Sequence, residues 1–289
     1  MKNPVSLGIL LTGFAYMLFT AHDAAIKLLV TTIPVWQILF FRSVTILVGC
    51  FLFGGPSFVG QVVHSPIVKP MMVRSTLLLV AWLSFYTAAR YLQLAEVTTL
   101  YYAAPIVGTI LAKIVLQERV TTSRWAAVGV GFAGVLIACN PVGLTISWPV
   151  YLALQAAVLW ACAMVLLRKT ALHEKSLIQM AISSLFFLVM TGVMMAFDWN
   201  IPNGYELALL CVTGVIAGIG QFALFEGMRK APVSVLAPFE YTSLIWAFLL
   251  GYLIWRDVPA HNVFAGGTLI LAAGCIIVVF ERRAGRATA

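Results

Sequence analysis

Long apolar runs separated by short polar segments make up almost the whole chain. Apolar residues cover every face of each run, which is the pattern of helices buried all round, and the short alternating segments of closed β-barrels are absent. One membrane crossing takes about 20 apolar residues. Ten runs of suitable length lie at about residues 4–26, 33–54, 71–91, 95–116, 122–140, 148–167, 177–197, 205–226, 232–255 and 261–280. The pattern predicts an all-α polytopic membrane protein with ten transmembrane helices.

The composition indicates a lipid environment. Of the 289 residues, 62% are hydrophobic and 10% are charged, whereas soluble domains carry about 25% charged residues. The first run follows Lys2, as in a signal peptide, but it is long and lacks a convincing cleavage site. We therefore expect it to be the first transmembrane helix. The net charge is +8, but the basic residues form short clusters between the apolar runs, so no nucleic-acid partner is expected.

The distribution of Lys and Arg predicts the orientation in the membrane. With the N-terminus inside, the cytoplasmic segments hold 13 basic residues and the opposite side holds three, Lys27, Arg90 and Arg256. Arg42 and Lys113 lie within runs. An excess of Lys and Arg marks cytoplasmic loops. We expect a multi-pass protein of the bacterial inner membrane with both termini in the cytoplasm.

The stretch "GVGFAG" (Gly129–Gly134) matches the G-x-G-x-x-G pattern of dinucleotide-binding turns. That motif must follow a strand, open a helix and precede an acid by about 20 residues. Here a helical run precedes it, and the next acid is Glu174. Small residues at this spacing let a neighbouring helix approach closely. We therefore interpret the glycines as packing residues and expect no cofactor. The cysteines lie within apolar runs without metal-ligand spacing, so no metal site is expected.

The two halves of the chain contain segments of similar sequence. Residues 94–120 resemble residues 230–258, with Ala95, Val97 and Leu100 recurring as Ala231, Val233 and Leu236 at a constant shift of 136. Chance similarity between hydrophobic helices is the alternative. A true duplication gives each half, 1–143 and 144–289, five spans. Because five is odd, the second half would be inverted in the membrane. Two inverted repeats around a central cavity suit alternating access.

These residues resemble the EamA-type branch of the drug/metabolite transporter superfamily over essentially the whole chain. The resemblance rests on Pro105 within span four, Glu118–Arg119 at its cytoplasmic end, Arg42 in span two and a degenerate copy of the motif in span nine. Within this superfamily, the whole chain also resembles bacterial amino-acid exporters. The second copy departs from the pattern, with Tyr241 in place of Pro105 and Asp257 in place of Glu. The resemblance implies efflux of amino acids or similar metabolites through a central cavity without ATP.

Placing a charged side chain within a membrane span costs free energy, so each such residue requires a structural or functional explanation. Glu240 lies about nine residues into span nine, two residues after Pro238. We expect Glu240 to line the cavity and face a substrate ammonium group; a hydrogen bond between helices is the alternative. Arg42 is expected to have a structural role or to supply a cavity charge. Asp23 and Lys27, four residues apart, predict a local ion pair.

Aromatic residues deep within several spans suggest the wall of a binding site. Rings with a few polar tips suit a small, partly apolar zwitterion, and ring faces attract an ammonium group. For each ring singly, ordinary packing is the alternative. The predicted substrate-binding set is Trp82, Tyr86, Tyr101, Tyr102, Pro105, Trp160, Gln221, Phe225, Glu240 and Tyr241.

The predicted function is secondary transport, with amino acids, aromatic and other neutral ones, exported by alternating access. Broader drug, nucleotide-sugar or metabolite efflux is the alternative. An intramembrane enzyme is disfavoured because the chain lacks H-E-x-x-H, G-x-S-x-G and paired acids on one helix face, and its four histidines lie at or near predicted loops without clustering. No catalytic residue is therefore predicted. Proton coupling through Glu240 and facilitated diffusion both fit, and the sequence predicts no particular oligomeric state.

The orientation is testable by tagging each terminus separately. Reporters that are active only in the cytoplasm, fused to either end, are both expected to be active, because the basic residues favour that side. Termini found on opposite faces of the bilayer would overturn the inverted arrangement together with the orientation.

Overall fold

All the regular elements that the computed structural model describes are helices. It describes residues 4–29, 32–88, 91, 100–139, 147–256 and 261–287. The helices are α1 (Pro4–Leu29), α2 (Val35–Gly54), α3 (Phe58–Val63), α4 (Val68–Ala88), α5 (Ala104–Val115), α6 (Thr122–Cys139), α7 (Trp148–Ala171), α8 (Ser176–Met195), α9 (Gly204–Lys230), α10 (Val233–Leu236), a 3₁₀ helix (Ala237–Tyr241), α11 (Thr242–Trp255) and α12 (His261–Ala287).

Seven helical segments of the described chain are long and apolar enough to cross a membrane. They are α1, α2, α4, α7, α8, α9 and the combined segment Val233–Ile254. The other three predicted spans coincide with shorter apolar helices, Ala104–Val115, Thr122–Ile137 and Phe264–Ile276. The structure is thus that of a polytopic membrane protein, with seven of the predicted crossings at full length.

Two details differ from the sequence pattern. The short helix α3 lies between the second and third predicted spans, where a loop was expected. Span four was predicted as one helix over 95–116, but its described part is interrupted by a turn at Tyr102–Ala103 before α5 begins. Pro105 stands at the start of α5, where its missing N–H costs nothing. Residues 92–99 lie outside the described part of the chain.

Each half of the chain packs mainly against the other half. The closest helix pairs are α1 with α9, α6 with α12, α4 with α7 and α2 with α8, followed by α2 with α9, α5 with α7 and α1 with α11. Glycines allow several of these approaches. A Cβ atom added at Gly8 would lie 2.7 Å from the Ala231 Cβ, and one at Gly227 would lie 2.5 Å from the Thr12 hydroxyl. The α1–α9 seam therefore depends on residues without a side chain.

Two glycines of the "GVGFAG" stretch make packing contacts, as the sequence interpretation expected. An added Cβ atom at Gly134 would lie 2.7 Å from the Gly266 carbonyl oxygen of α12, and one at Gly131 would lie 2.4 Å from the Tyr241 ring. Gly129, on the same helix, has no such neighbour within 4 Å. Small residues at 131 and 134 thus set the distance between α6 and its neighbours.

The Gly134→Leu substitution is expected to destabilise the α6–α12 seam by about 1–3 kcal/mol, the usual cost of overpacking. Gly129→Leu is the matched control, since the same side chain enters open space there. Thermal unfolding in detergent should show a lower midpoint for Gly134→Leu alone. Equal midpoints for the two variants would contradict the packing role of Gly134.

Candidate functional site

Span nine is interrupted around Pro238. The chain passes from α10 into the 3₁₀ helix Ala237–Tyr241 and then into α11. Proline removes a backbone donor, and freed carbonyls must find other partners in lipid. The Ser243 hydroxyl donates to the Glu240 carbonyl oxygen at 2.6 Å, and the Thr242 hydroxyl donates to the Phe239 carbonyl oxygen at 2.6 Å. Two side chains of α11 thus bond to carbonyls of the 3₁₀ segment.

The interruption of span four meets the interruption of span nine. The Tyr102 and Ser243 hydroxyl oxygens lie 2.7 Å apart. Because the Ser243 proton is donated to the Glu240 carbonyl, the Tyr102 hydroxyl is the donor in this pair. The rings of Tyr102 and Tyr241 also make edge contact, with centroids 5.9 Å apart. Two irregular backbone segments, one from each half, therefore lie side by side.

A cavity of about 320 Å³ lies beside these breaks, and we call it the main cavity. Its volume is within the range of small-molecule sites, about 300–1,000 Å³. Five residues of the predicted substrate-binding set line it, together with Arg42; the five are Trp82, Tyr101, Tyr102, Trp160 and Glu240. The other lining residues are Tyr16, Phe19, Thr20, His22, Asp23, Ile26, Leu39, Phe85 and Ser243.

Glu240 is the buried acid of the main cavity, with 6% of its surface exposed. The Tyr16 hydroxyl of α1 donates to its Oε2 atom at 3.3 Å. One turn further along α1, the Thr20 hydroxyl donates to the Tyr16 carbonyl at 2.8 Å and approaches the Ser243 carbonyl at 3.4 Å. Helix α1 therefore positions polar groups against the break in span nine.

The contribution of α1 was not predicted from the sequence. Tyr16 and Thr20 are one helical turn apart in the middle of the first span, the same spacing as Trp82 and Tyr86 in span three. The histidines were expected at or near loops, but His22 lies within α1 and is 4% exposed.

Asp23 marks the place where the main cavity reaches the surface, since it lines the cavity and its side chain is 75% exposed. The predicted ion pair joined Asp23 to Lys27, whose side chain lies outside the described residues. In the structure, an oxygen of the Asp23 carboxylate lies 3.4 Å from the His22 Nδ1 atom.

Aromatic rings surround the polar groups of the main cavity. The Tyr101 ring lies 5.2 Å from Phe85 and 6.2 Å from Trp160, measured between centroids. The Arg42 guanidinium carbon lies 5.7 Å from the centroid of the Trp82 ring, within the range of a cation–π interaction. A carboxyl group among ring faces suits a cationic group on a partly apolar molecule. The described residues hold no group of three or more His, Cys, Asp or Glu side chains that could bind a metal ion.

A second cavity of about 50 Å³ shares walls with the main one. Arg42, Trp82 and Trp160 line both cavities, and the predicted residues Gln221 and Phe225 line the second. Its further lining residues include Arg74, Ser183 and Ser184. Arg74 is one of the 13 basic residues that the orientation count assigned to the cytoplasmic segments. That placement is wrong, because Arg74 lies within α4 and is 4% exposed inside the bundle.

The remaining predicted residues are placed differently. Pro105 lines a third cavity of about 10 Å³, together with Trp160 and Glu240. Tyr241 is fully buried against Gly131 and Tyr102 and lines none of these three cavities. Tyr86 belongs to α4, but its side chain lies outside the described residues.

The end of span four hydrogen-bonds to the start of span nine. The Glu118 carboxylate accepts from the backbone N–H groups of Val233 and Ser234 at 3.0 and 3.1 Å and from the Ser234 hydroxyl at 2.7 Å. It thereby caps α10, which has no side-chain cap of its own. Arg124 also donates to the Ser234 hydroxyl, at 3.0 Å. Glu118 therefore joins the two halves at the end where span nine begins.

Comparison with known proteins adds a family assignment to this geometry. The sequence profile of the EamA-like transporter family matches residues 6–139 and again residues 147–280. One solved crystal structure superposes with a TM-score of 0.81 over 96% of this chain and 98% of that chain, at 18% sequence identity. That likeness concerns the fold alone.

Curated relatives carry several kinds of cargo. An S-adenosylmethionine uptake transporter of Rickettsia felis is 24% identical over 95% of both chains. A pseudopaline exporter of Pseudomonas aeruginosa is 26% identical over 93% of this chain and 94% of its own. A riboflavin transporter of Rhizobium johnstonii is 28% identical over 66% of this chain and 64% of its own. These names agree on transport and differ in substrate and direction.

Removal of the Glu118 carboxylate is expected to loosen the start of span nine, because three hydrogen bonds to a charged group are lost. The loosening can be measured as the accessibility of a cysteine placed at position 235, where the native valine is fully buried. The five natural cysteines are replaced beforehand, so that only this position is labelled. We expect a hydrophilic maleimide to label Val235→Cys about ten-fold faster when Glu118→Ala is added. Arg119→Ala, an exposed neighbour, is the control, and equal labelling in both variants would contradict the capping role.

Proposed function

Because the chain belongs to the EamA-like transporter family, we propose that it is a secondary transporter that exports amino acids and related small metabolites by alternating access. The observation that carries the proposal is the main cavity, where a buried carboxyl group, Glu240, lies among aromatic rings at the break of span nine. Binding sites of secondary transporters characteristically lie at interrupted helices near mid-membrane. The proposed location is the bacterial inner membrane, with both termini cytoplasmic.

The helix pairs support two inverted five-span repeats of about residues 1–143 and 144–289. In two such repeats, span one corresponds to span six, span two to span seven, and so on. The α1–α9 pair then corresponds to the α7–α4 pair, and the α5–α7 pair corresponds to the α11–α1 pair. The pairs α2–α8 and α6–α12 are converted into themselves. The family profile matches each half separately. This correspondence between helix pairs supports the proposed repeat.

Equivalent helices run in opposite directions, which supports inversion of the second half. Between α2 and α8, Phe40 lies against Gly192 while Gln37 donates to the carbonyl of Asn200 further along the chain. Between α6 and α12, Gly134 lies against Gly266 and Ile270, while the Ile137 carbonyl accepts from Asn262. The two helices of each pair are therefore antiparallel.

Alternating access follows from these contacts as a proposal. The Glu118 contacts join the halves at one end, and the main cavity reaches the surface at Asp23 near the far end of α1. With the predicted orientation, this conformation opens away from the cytoplasm. The opposite state requires release of Glu118 from α10. Asp257 holds the position equivalent to Glu118 in the second half and would make the corresponding closure.

The main cavity suits a small, partly apolar molecule with an ammonium group. Glu240 and the Tyr16 hydroxyl offer polar contacts, while Tyr101, Trp160 and Trp82 offer ring faces. Trp82, Tyr102 and Trp160 would hold the apolar part of the cargo.

The other predicted residues would have supporting roles. Gln221 and Phe225 lie along the second cavity, and Pro105 helps to form the break in span four. Tyr241 and Gly131 would support the site from outside the cavity.

S-adenosylmethionine is a second candidate substrate because the relative named for its uptake covers 95% of both chains. It carries an amino-acid group, so Glu240 would face the same ammonium in either cargo. An alternating cavity moves its cargo in either direction, and the gradients present decide which direction prevails. Export or uptake is therefore a matter of coupling rather than of the site.

Flux through purified protein in liposomes tests the proposal. The protein should accelerate equilibration of radiolabelled neutral amino acids, and Glu240→Gln should raise the apparent KM about 10–100-fold, the loss of one hydrogen bond to a charged group. Glu206→Gln is the matched control, because glutamine still completes the capping box at the start of α9.

A panel of unlabelled competitors, including S-adenosylmethionine, riboflavin and nucleotide sugars, then ranks the substrate classes. Unchanged transport of every amino acid by Glu240→Gln would remove the role of Glu240. Absence of amino-acid flux, together with flux of another competitor, would replace the proposed substrate class.

A further inference from the structure

The residues that line the second cavity include basic but no acidic side chains. Two arginines, Arg42 and Arg74, line it, and none of its lining residues is an Asp or Glu. Arg74 is 4% exposed and its guanidinium carbon lies 5.1 Å from the centroid of the Phe225 ring. A buried cation is costly unless an anion or several hydrogen-bond acceptors compensate it. The ring face compensates only part of that cost.

Polar groups of this cavity also lack hydrogen-bond partners. Within the part of the chain that the structure describes, neither the Arg74 Nε atom nor the Ser183 hydroxyl has one, although both are buried. Ser183 is 2% exposed and Ser184 is 3% exposed. Buried donors are normally satisfied, so each unsatisfied donor requires an explanation. A planar guanidinium beside hydroxyl groups matches the geometry of a carboxylate.

We propose that the second cavity is an anion subsite that binds the carboxylate of the transported molecule through Arg74, with Arg42 adding positive charge. This inference rests on the proposed function and extends it. Glu240 and Asp23 line the main cavity, Arg74 lines the second cavity, and Arg42 lines both. Trp82 and Trp160 also line both cavities, so the cavities adjoin. The proposed orientation of the cargo therefore has its ammonium group towards Glu240 and its carboxylate towards Arg74.

The small size of the second cavity limits what it can bind. A volume of about 50 Å³ accommodates a carboxylate group but not a whole amino acid. An inorganic anion such as chloride has the same charge and could reach the same donors. The two sources differ in their link to the main cavity, since only the cargo's carboxylate carries an apolar body that contacts Trp82 and Trp160.

Binding to purified protein, followed by tryptophan fluorescence, tests the subsite without transport. The first pair of probes is L-phenylalanine and L-phenylalanine amide. The second pair is 3-phenylpropionate and 3-phenylpropionamide, which lack the ammonium group. In the wild-type protein each acid is expected to bind at least about 30-fold more tightly than its amide, as for a desolvated charge pair.

Variants of Arg74 test whether this residue causes the preference for the acid over the amide. Arg74→Gln should reduce the ratio between acid and amide to within about three-fold, and Arg74→Lys should retain part of it because the charge remains. Lys113→Gln is the control, since this exposed lysine of α5 lines neither cavity and its loss removes the same charge. The comparison of acid with amide in the wild-type protein holds even where Arg74→Gln fails to fold.

The outcomes separate this inference from the proposed function. Equal binding of acid and amide, or an unchanged ratio in Arg74→Gln, overturns the subsite even if amino acids are transported. A preference that 100 mM chloride abolishes shows an inorganic anion site and also overturns the proposal. Preference for phenylpropionate that depends on Arg74, without amino-acid flux, supports the subsite and rejects amino acids as the cargo.

Discussion

The need to satisfy every backbone polar group in a low dielectric decides where this bundle can hold a cavity. A continuous helix meets that need within itself, whereas a broken one must borrow partners. Span nine leaves the α-helical pattern around Pro238, and the hydroxyl groups of Ser243 and Thr242 donate to carbonyls of the 3₁₀ segment. The same Ser243 also receives the Tyr102 hydroxyl from the interrupted span four. Irregular backbone and polar side chains therefore gather at one depth, beside the main cavity.

Charge placement follows from this arrangement. Glu240 is carried on the 3₁₀ segment itself, so its side chain comes to the cavity with the break. The basic side chains come from regular helices, Arg42 from α2 and Arg74 from α4. Acid and base thus belong to different structural elements, and a movement of one half relative to the other changes their separation. Under the proposed function, this change would let the site bind a dipolar cargo in one state and release it in the other.

Much of this architecture is present in the sequence, because hydropathy and proline act locally. The apolar runs predicted the long helices, and the position of Glu240 two residues after Pro238 drew attention to span nine, which was predicted as a single run. What the sequence could not provide was direction and register. A 3₁₀ turn has three residues instead of 3.6, which directs Glu240 to the cavity and Tyr241 into the packing against Gly131. Arg74 was misplaced because a basic residue near the start of an apolar run reads as part of the flanking loop, whereas packing buries it, and Tyr16 was missed because a single helix does not reveal which face meets its neighbours.

The cross-pairing of the helices has a consequence for biosynthesis. The principal neighbours of α1, α2, α4 and α6 are all encoded in the second half of the chain. When the first five spans leave the ribosome, the groove at Gly8 and the seam at Gly134 have no protein to face. Lipid tails must fill these surfaces until the later helices arrive and displace them. The two repeats are thus units of sequence but not of folding, and the bundle becomes complete only when synthesis is almost finished.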